Sequence, residues 1–261
     1  NIINALVPGY EDKQMLFINH QGIIEQIVSM GNIIKRVPLK DLQILDAEGD
    51  RISLGGIDLQ INGGLGTAFP ELNAENADSL QKICDYLWDS GVDGFLPTVV
   101  TTSVENIHRS LGIVANFMQN QTSGAKILGV HLEGPFLNPE KRGAHPQEYL
   151  LPLSLGEVKR VLGDFSDIIK VITLAPELDS HNEAIPYLRQ QGIIVSLGHS
   201  QATAEQAQTA FEMGATMVTH AFNAMPPLHH REPGLLAAAI THEKVMCGFI
   251  ADGKHVSPMM V

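Results

Sequence analysis

At several places the chain sets metal-ligating or proton-carrying side chains at the end of a short apolar run. They are His131-Leu132-Glu133-Gly134-Pro135, the His199-Ser200 pair after Val195-Ser196-Leu197-Gly198, and His220 after Met217-Val218-Thr219. Asp252-Gly253-Lys254-His255 follows the run 245–250 in the same way. A carboxylate and two imidazoles leaving neighbouring strands at one end can converge on a divalent cation. One carboxylate plus two histidines with an open position is the donor set of a catalytic zinc site. A metal held this way would polarise a carbonyl and lower the pKa of a bound water to about 7. Each histidine alone has a plainer explanation, as a hydrogen-bonded residue of core or surface. Their repetition on successive strands is what favours a metal. His131 shares strand parity with Glu133 and reads as a packing residue or a support for the ligands. His229 and His230 read as loop residues. His20, His108, His181 and His242 fall in turns or helices with no constellation around them.

Such convergence needs parallel strands with a common end. The segments 56–61, 94–100, 127–132, 168–174, 193–197, 217–220 and 245–250 read as strands, with helical spacing between them. Ala77, Leu80, Ile83, Cys84 and Leu87 recur at a helical period, and Gly91 stands where a helix would stop. Ser154 with Glu157 and Thr203 with Gln206 fit capping boxes, and Gly192 and Gly214 fit helix ends. Repeated βα units imply a parallel sheet, either closed as a barrel or open and doubly wound. Barrel sites form at the carboxyl ends of the strands, where these side chains fall. No GxGxxG follows an early strand, and Gly63-Gly64-Leu65-Gly66 lacks that spacing. Seven such segments are present where a closed (β/α)8 barrel needs eight. Ahead of them, 15–19 and 23–28 flank a hairpin turn at His20-Gln21-Gly22, and 42–45 makes another short apolar run. The expected division is residues 1–53 as the N-terminal part of a small β domain and 54–261 as the βα unit.

Of the 261 residues, 44% are hydrophobic and 18% charged, the composition of a globular protein rather than a disordered or fibrous one. With 17 basic against 29 acidic residues the net charge is −12, which argues against nucleic acid as a partner. An anionic substrate would need local cationic groups to overcome that field. Cys84 and Cys247 form no CxxC pair and read as reduced thiols of a cytoplasmic protein. No stretch approaches the roughly 20 apolar residues of a membrane span, and the first residues do not read as a basic-then-apolar leader, so secretion is not expected.

The strings HLEGPFLNPEKRGAHP (131–146), SLGHSQAT (196–203), THAFNAMPPLHHREPG (219–234) and GFIADGKHVSP (248–258) together carry a resemblance. The chain resembles the N-acetylglucosamine-6-phosphate deacetylases of the amidohydrolase superfamily over essentially its whole length. That resemblance implies an α/β fold, a TIM-like (β/α)8 barrel with a small β-sandwich domain. It implies metal-dependent hydrolysis of the acetamido group of N-acetylglucosamine 6-phosphate, giving glucosamine 6-phosphate and acetate in amino-sugar catabolism. By motif position Glu133, His199 and His220 would hold one divalent metal, zinc first, with iron, manganese or cobalt as the other candidates. His145 would position the substrate near its ring and acetamido group, Asn223 and Ala224 would meet the sugar phosphate, and His255 would contact substrate. Arg231 matches a phosphate-binding arginine supplied across a dimer interface, so a homodimer is expected. Arg231 and His255 would also provide the positive field that an acidic protein needs around a phosphate.

Two departures from the family pattern stand out. Where many amidohydrolases carry an HxH pair for a second metal, this chain has Gln60 and Asn62. Amides are poor zinc ligands beside imidazole and carboxylate, so one metal is expected. The resemblance places Gln60 near the water on that metal and among the substrate-contacting residues. The family's general acid/base, an aspartate ending strand eight, is expected beyond Val261, because the motif around Asp252 aligns with strand seven. The chain therefore reads as a barrel incomplete at its C-terminus, with little or no turnover predicted. The alternatives are a deacetylase for another N-acyl amino-sugar phosphate, such as the galactosamine epimer, and a non-catalytic sugar-phosphate-binding protein.

Overall fold

The computed structural model describes residues 1–33 and 43–260, in two compact units, Asn1–Gly55 and Gly56–Val261. In the first, β1 (Ile2–Ala5), β2 (Gln14–Ile18), β3 (Ile24–Ser29) and β4 (Leu45–Asp46) form one sheet in the order β3-β2-β1-β4. A single helical turn, α1 (Met30–Ile33), follows β3. The hairpin turn falls where expected. Asn19 Oδ1 accepts from the amides of Gln21 and Ile23, and Gly22 takes the positive φ that the turn requires. Of the run 42–45, only the strand beginning at Leu45 is seen, and Leu42 lies outside the described residues. The sequence pattern indicates neither β1 nor α1. β1 is interrupted by Asn4 at φ 57, which breaks any alternation, and a four-residue turn is too short to show a helical period.

The second unit begins with β5 (Gly56–Ile61) and a small hairpin, β6 (Gly63–Gly64) and β7 (Thr67–Ala68). Alternation then sets in: α2 (Ser79–Asp89), β8 (Val92–Val100), α3 (Val104–Asn120), β9 (Lys126–Ile127) and β10 (Val130–Glu133). It continues through α4 (Leu155–Leu162), β11 (Ile169–Leu174), α5 (Ala184–Gln190), β12 (Ile194–Leu197) and α6 (Ala204–Glu212). The last elements are β13 (Met217–Val218), α7 (Gly234–Ile240) and β14 (Met246–Cys247). The strands pair in parallel in the order β14-β13-β12-β11-β10-β8-β5, with β9 also on β8. This is a curled parallel sheet backed by helices, a partial TIM-like barrel. Its end strands β5 and β14 do not pair with each other among the described residues. β5, Gln60 included, instead lines a cleft of about 860 Å³ together with Thr219, His220 and the segment 248–251 that follows β14.

Burial explains the helices. On α2, Leu80, Ile83, Cys84 and Leu87 form the buried stripe, and Gly91 ends the helix at φ 81. Thr203 and Gln206 make both bonds of a capping box on α6, whereas on α4 only the Ser154 hydroxyl accepts, from the Glu157 amide. Three strands are shorter than their apolar runs. The run 127–132 divides into β9 and β10 because Gly129, at φ 145, turns the chain between them. The run 217–220 stops at Val218, since His220 enters the left-handed region at φ 33. The run 245–250 narrows to β14, an edge strand with a ladder on one side only. No helix among the described residues is long and apolar enough to cross a membrane.

Candidate metal centre

The exits of three parallel strands, β10, β12 and β13, and one long loop build a buried cluster. Glu133 is the last residue of β10, His199 stands two residues past β12, and His220 two residues past β13. His145 comes from the loop after β10. Glu133, His145 and His199 are at most 7% exposed and each offers a ligand atom within 4.8 Å of the others. His220 joins the same cluster. Its Nε2 lies 3.3 Å from Glu133 Oε1 and 3.0 Å from His199 Nε2, while His199 Nε2 lies 3.4 Å from the same Glu133 oxygen. The rings of His145, His199 and His220 meet edge to face.

Hydrogen bonds to the far sides of these rings set what each can offer. His199 Nδ1 donates to the Lys141 carbonyl at 2.8 Å, so its Nε2 presents a lone pair to the cluster. His145 is held the other way. The Thr101 amide donates to His145 Nδ1 at 3.3 Å, and the Thr101 hydroxyl lies 2.8 Å from the same nitrogen. A neutral His145 then carries its proton on Nε2, 3.6 Å from Glu133 Oε2. His220 Nδ1 is buried without a hydrogen-bond partner among the described residues. Gln60, near the end of β5, donates from Nε2 to Glu133 Oε1 at 2.7 Å.

These donors suit a small divalent cation. Four-coordinate zinc with bonds of about 2.0–2.1 Å keeps its ligand atoms about 3.3 Å apart, close to the edges of the Glu133–His199–His220 triangle. Burial alone pushes the Glu133 carboxyl up. The close approach of the His145, His199 and His220 rings outweighs it and holds the group well below the usual carboxylate range. Glu133 is thus an anion at neutral pH, as a ligand must be.

The remaining predicted residues fall outside this cluster. Asn223 and Ala224 lie in the turn after His220, where the Asn223 amide donates to the His220 carbonyl and the Ala224 carbonyl accepts from Ser200. Arg231 is exposed, with its amide donating to His229 Nδ1, and His255 is exposed and pairs with Asp252 at 2.8 Å. Neither has a hydrogen bond or ion pair to the cluster among the described residues. Asn62 is exposed.

Several supporting groups were not picked out from the sequence. Thr101 and the Lys141 carbonyl fix the two tautomers just described. Glu177 clamps the loop carrying His199, accepting from Ser200 Oγ at 2.7 Å, the Gln201 amide at 2.6 Å and Asn138 Nδ2 at 2.9 Å. The Asn138 amide in turn donates to the His199 carbonyl. Only position at a strand end could have marked Thr101 and Glu177, since neither lies beside a metal-ligating residue in sequence. His131 is fully buried, and burial lowers its pKa below the usual value, so the ring is neutral.

No protein-family model matches the chain. It is 41% identical, over 82% of its length, to the N-acetylglucosamine-6-phosphate deacetylase of Mus musculus and covers 54% of that protein. It is 36% identical, over 83% of its length, to the N-acetylgalactosamine-6-phosphate deacetylase of Escherichia coli O157:H7, covering 57% of it. The chain therefore spans little more than half the length of these curated relatives. The crystal structure of N-acetylglucosamine-6-phosphate deacetylase from Pasteurella multocida superposes with a TM-score of 0.83 at 34% identity, over 98% of this chain and 65% of that one.

Proposed function

We propose that the chain belongs with the N-acetylglucosamine-6-phosphate deacetylases it is similar to, and that its buried cluster serves the metal-dependent hydrolysis of an N-acetylated hexosamine 6-phosphate. The products are the free amino-sugar phosphate and acetate. The observation that carries this reading is the Glu133–His199–His220 triangle, an anionic oxygen and two imidazole nitrogens at the spacing of one coordination sphere. Those three residues would hold one divalent metal. The donor set suits zinc and also admits iron, manganese or cobalt. When bound, the ion supplies a Lewis acid for the amide carbonyl and makes water nucleophilic at neutral pH.

The chain's own residues do the rest. Gln60 occupies one lone pair of Glu133 Oε1 and leaves the other aimed into the triangle. The Thr101 amide keeps the His145 proton on Nε2, so His145 donates a hydrogen bond to the acetamido group and orients it. Burial of Glu133, His145 and His199 keeps bulk water from competing for these bonds. We assign the sugar phosphate to Asn223 and Ala224 with the exposed cations Arg231 and His255, Arg231 reaching the neighbouring subunit's site in a cytoplasmic homodimer. The similarity to a relative named for the galactosamine epimer sustains a second reading, in which that epimer is the substrate.

Metal analysis after gentle purification, followed by calorimetric titration with both epimeric N-acetylhexosamine 6-phosphates, tests the proposal. The expected result is about one equivalent of divalent metal, lost in Glu133→Ala, with tighter binding of the glucosamine epimer. A metal content below about a tenth of an equivalent would remove the metal from the proposal. Preference for the other epimer would transfer the assignment to the second reading.

A further inference from the structure

We infer that His131 is a positioning residue that braces an irregular stretch of β5 so that Gln60 meets Glu133. The inference rests on the proposed reading of Glu133 as a metal ligand and deepens it.

β5 pairs on one side only, with β8, and its register shifts between Asp58 and Ile61. Leu59 and Gln60 therefore drop out of the ladder, next to the site, where such bulges re-aim side chains. Side chains take over the missing bonds. The Gln60 amide donates to Asp58 Oδ1 at 2.9 Å, and the Leu59 carbonyl accepts from His131 Nδ1 at 3.0 Å. His131 is on β10, on the far side of β8 from β5, so its ring spans the intervening strand. The residue it holds is the immediate neighbour of Gln60, whose amide then reaches Glu133 at 2.7 Å.

The opposite end of the ring is anchored as well. His131 Nε2 lies 2.7 Å from Thr173 Oγ1, which lies 2.7 Å from Thr219 Oγ1, which lies 2.6 Å from Ser196 Oγ. All four residues are at most 1% exposed. Barrel interiors are usually packed with branched apolar side chains, and buried polar groups are tolerated only when their bonds are made. Here a connected row of hydroxyls from β11, β12 and the end of β13 turns one imidazole into a strut against β5. His131 and Glu133 are two residues apart on the same strand face, so the strut sits one layer beneath the ligand.

Two substitutions separate positioning from bulk packing. An asparagine amide falls near the place of Nδ1 and keeps a donor for the Leu59 carbonyl, whereas a glutamine amide falls near Nε2 and loses it. In the metal-free protein, hydrogen exchange in the peptide covering residues 56–62 is expected to rise about tenfold in His131→Gln and less than about threefold in His131→Asn, the scale of one hydrogen bond. Cobalt titration followed by its visible absorption should show the same order in Kd, about tenfold weaker for the glutamine variant. In a Gln60→Leu background the His131→Gln effect on cobalt Kd should vanish, because the strut acts through Gln60. Equal effects of the two variants on exchange, or a His131→Gln effect that adds in full to Gln60→Leu, would overturn the inference. If wild-type protein takes up no cobalt, the metal reading fails and the exchange data alone decide on His131. Should His131→Gln not fold, Thr173→Val keeps the ring but removes its far anchor and must raise exchange in the same peptide. No rise there would count against the strut.

Discussion

Replacing Glu177 tests whether the loop behind His199 is held by one carboxylate. Glu177→Ala removes three acceptor bonds at once, to Ser200 Oγ, the Gln201 amide and Asn138 Nδ2. Asn138 and Gln201 are half-buried and water can reach them, but Ser200 is fully buried and its hydroxyl would lose its acceptor. An orphaned buried group costs about 1–3 kcal/mol, and bonds to a charged acceptor contribute about 1.5–3 kcal/mol each, so about 3–5 kcal/mol is expected in all. That corresponds to a fall in Tm of about 6–20 °C for a unit of this size. Glu177→Gln can keep one oxygen towards Asn138 and Gln201 while its amide donates to Ser200 Oγ, so it should recover most of the loss. Urea unfolding gives the free energies, and a parallel cobalt titration should show weakened binding in Glu177→Ala because the slackened loop carries His199. A loss below about 1 kcal/mol for Glu177→Ala, or equal losses for both variants, would refute the clamp.

Other positions give independent checks. A Cβ at Gly134 would overlap Thr101 Oγ1, and the φ of 85 there disfavours any L side chain, so Gly134→Ala should cost about 2–4 kcal/mol by denaturant unfolding. Gly156 on α4 has open space and no positive φ, so Gly156→Ala should be neutral or stabilise by about 0.5–1 kcal/mol in the same assay. Asp179 caps α5 by accepting from the amides of Glu183, Ala184 and Ile185, and thermal melts should show Asp179→Ala costing about 1–2 kcal/mol. Burial, aided by the Asp85 charge, pushes the Cys84 thiol from 9.0 up to about 12, so a thiol-specific reagent at pH 8 should label it only after unfolding. Because the folded pKa is the higher one, this thiol's contribution to stability should be intact below pH 9 and fade as pH climbs towards 12, which alkaline melts would register.

The cluster was legible because its chemistry lies at strand ends. Glu133, His199 and His220 each close an apolar run, and parallel topology brings such ends together. Helix faces were legible for a similar reason, since the Leu80–Leu87 stripe repeats within one element. What escaped depended on partners distant in sequence. Glu177 matters through Asn138 and Ser200, and Thr101 through His145; His131 reads as packing or support, but its partner Leu59, 72 positions away, does not show. The shortened strand before His220 escaped because its limit is set by a left-handed backbone, which a histidine seldom adopts.

The two histidines of the triangle, His199 at φ 49 and His220 at φ 33, carry an implication for anyone redesigning this chain. A left-handed backbone costs an L residue about 1–2 kcal/mol, and glycine escapes that cost. A procedure that ranks substitutions by backbone strain alone would therefore be drawn to glycine at both positions. Each such substitution would remove an imidazole from the candidate metal centre. Thermostability appearing at either residue in an engineered library should accordingly be treated as a warning that the chemistry has gone, and those two codons are the ones to hold fixed.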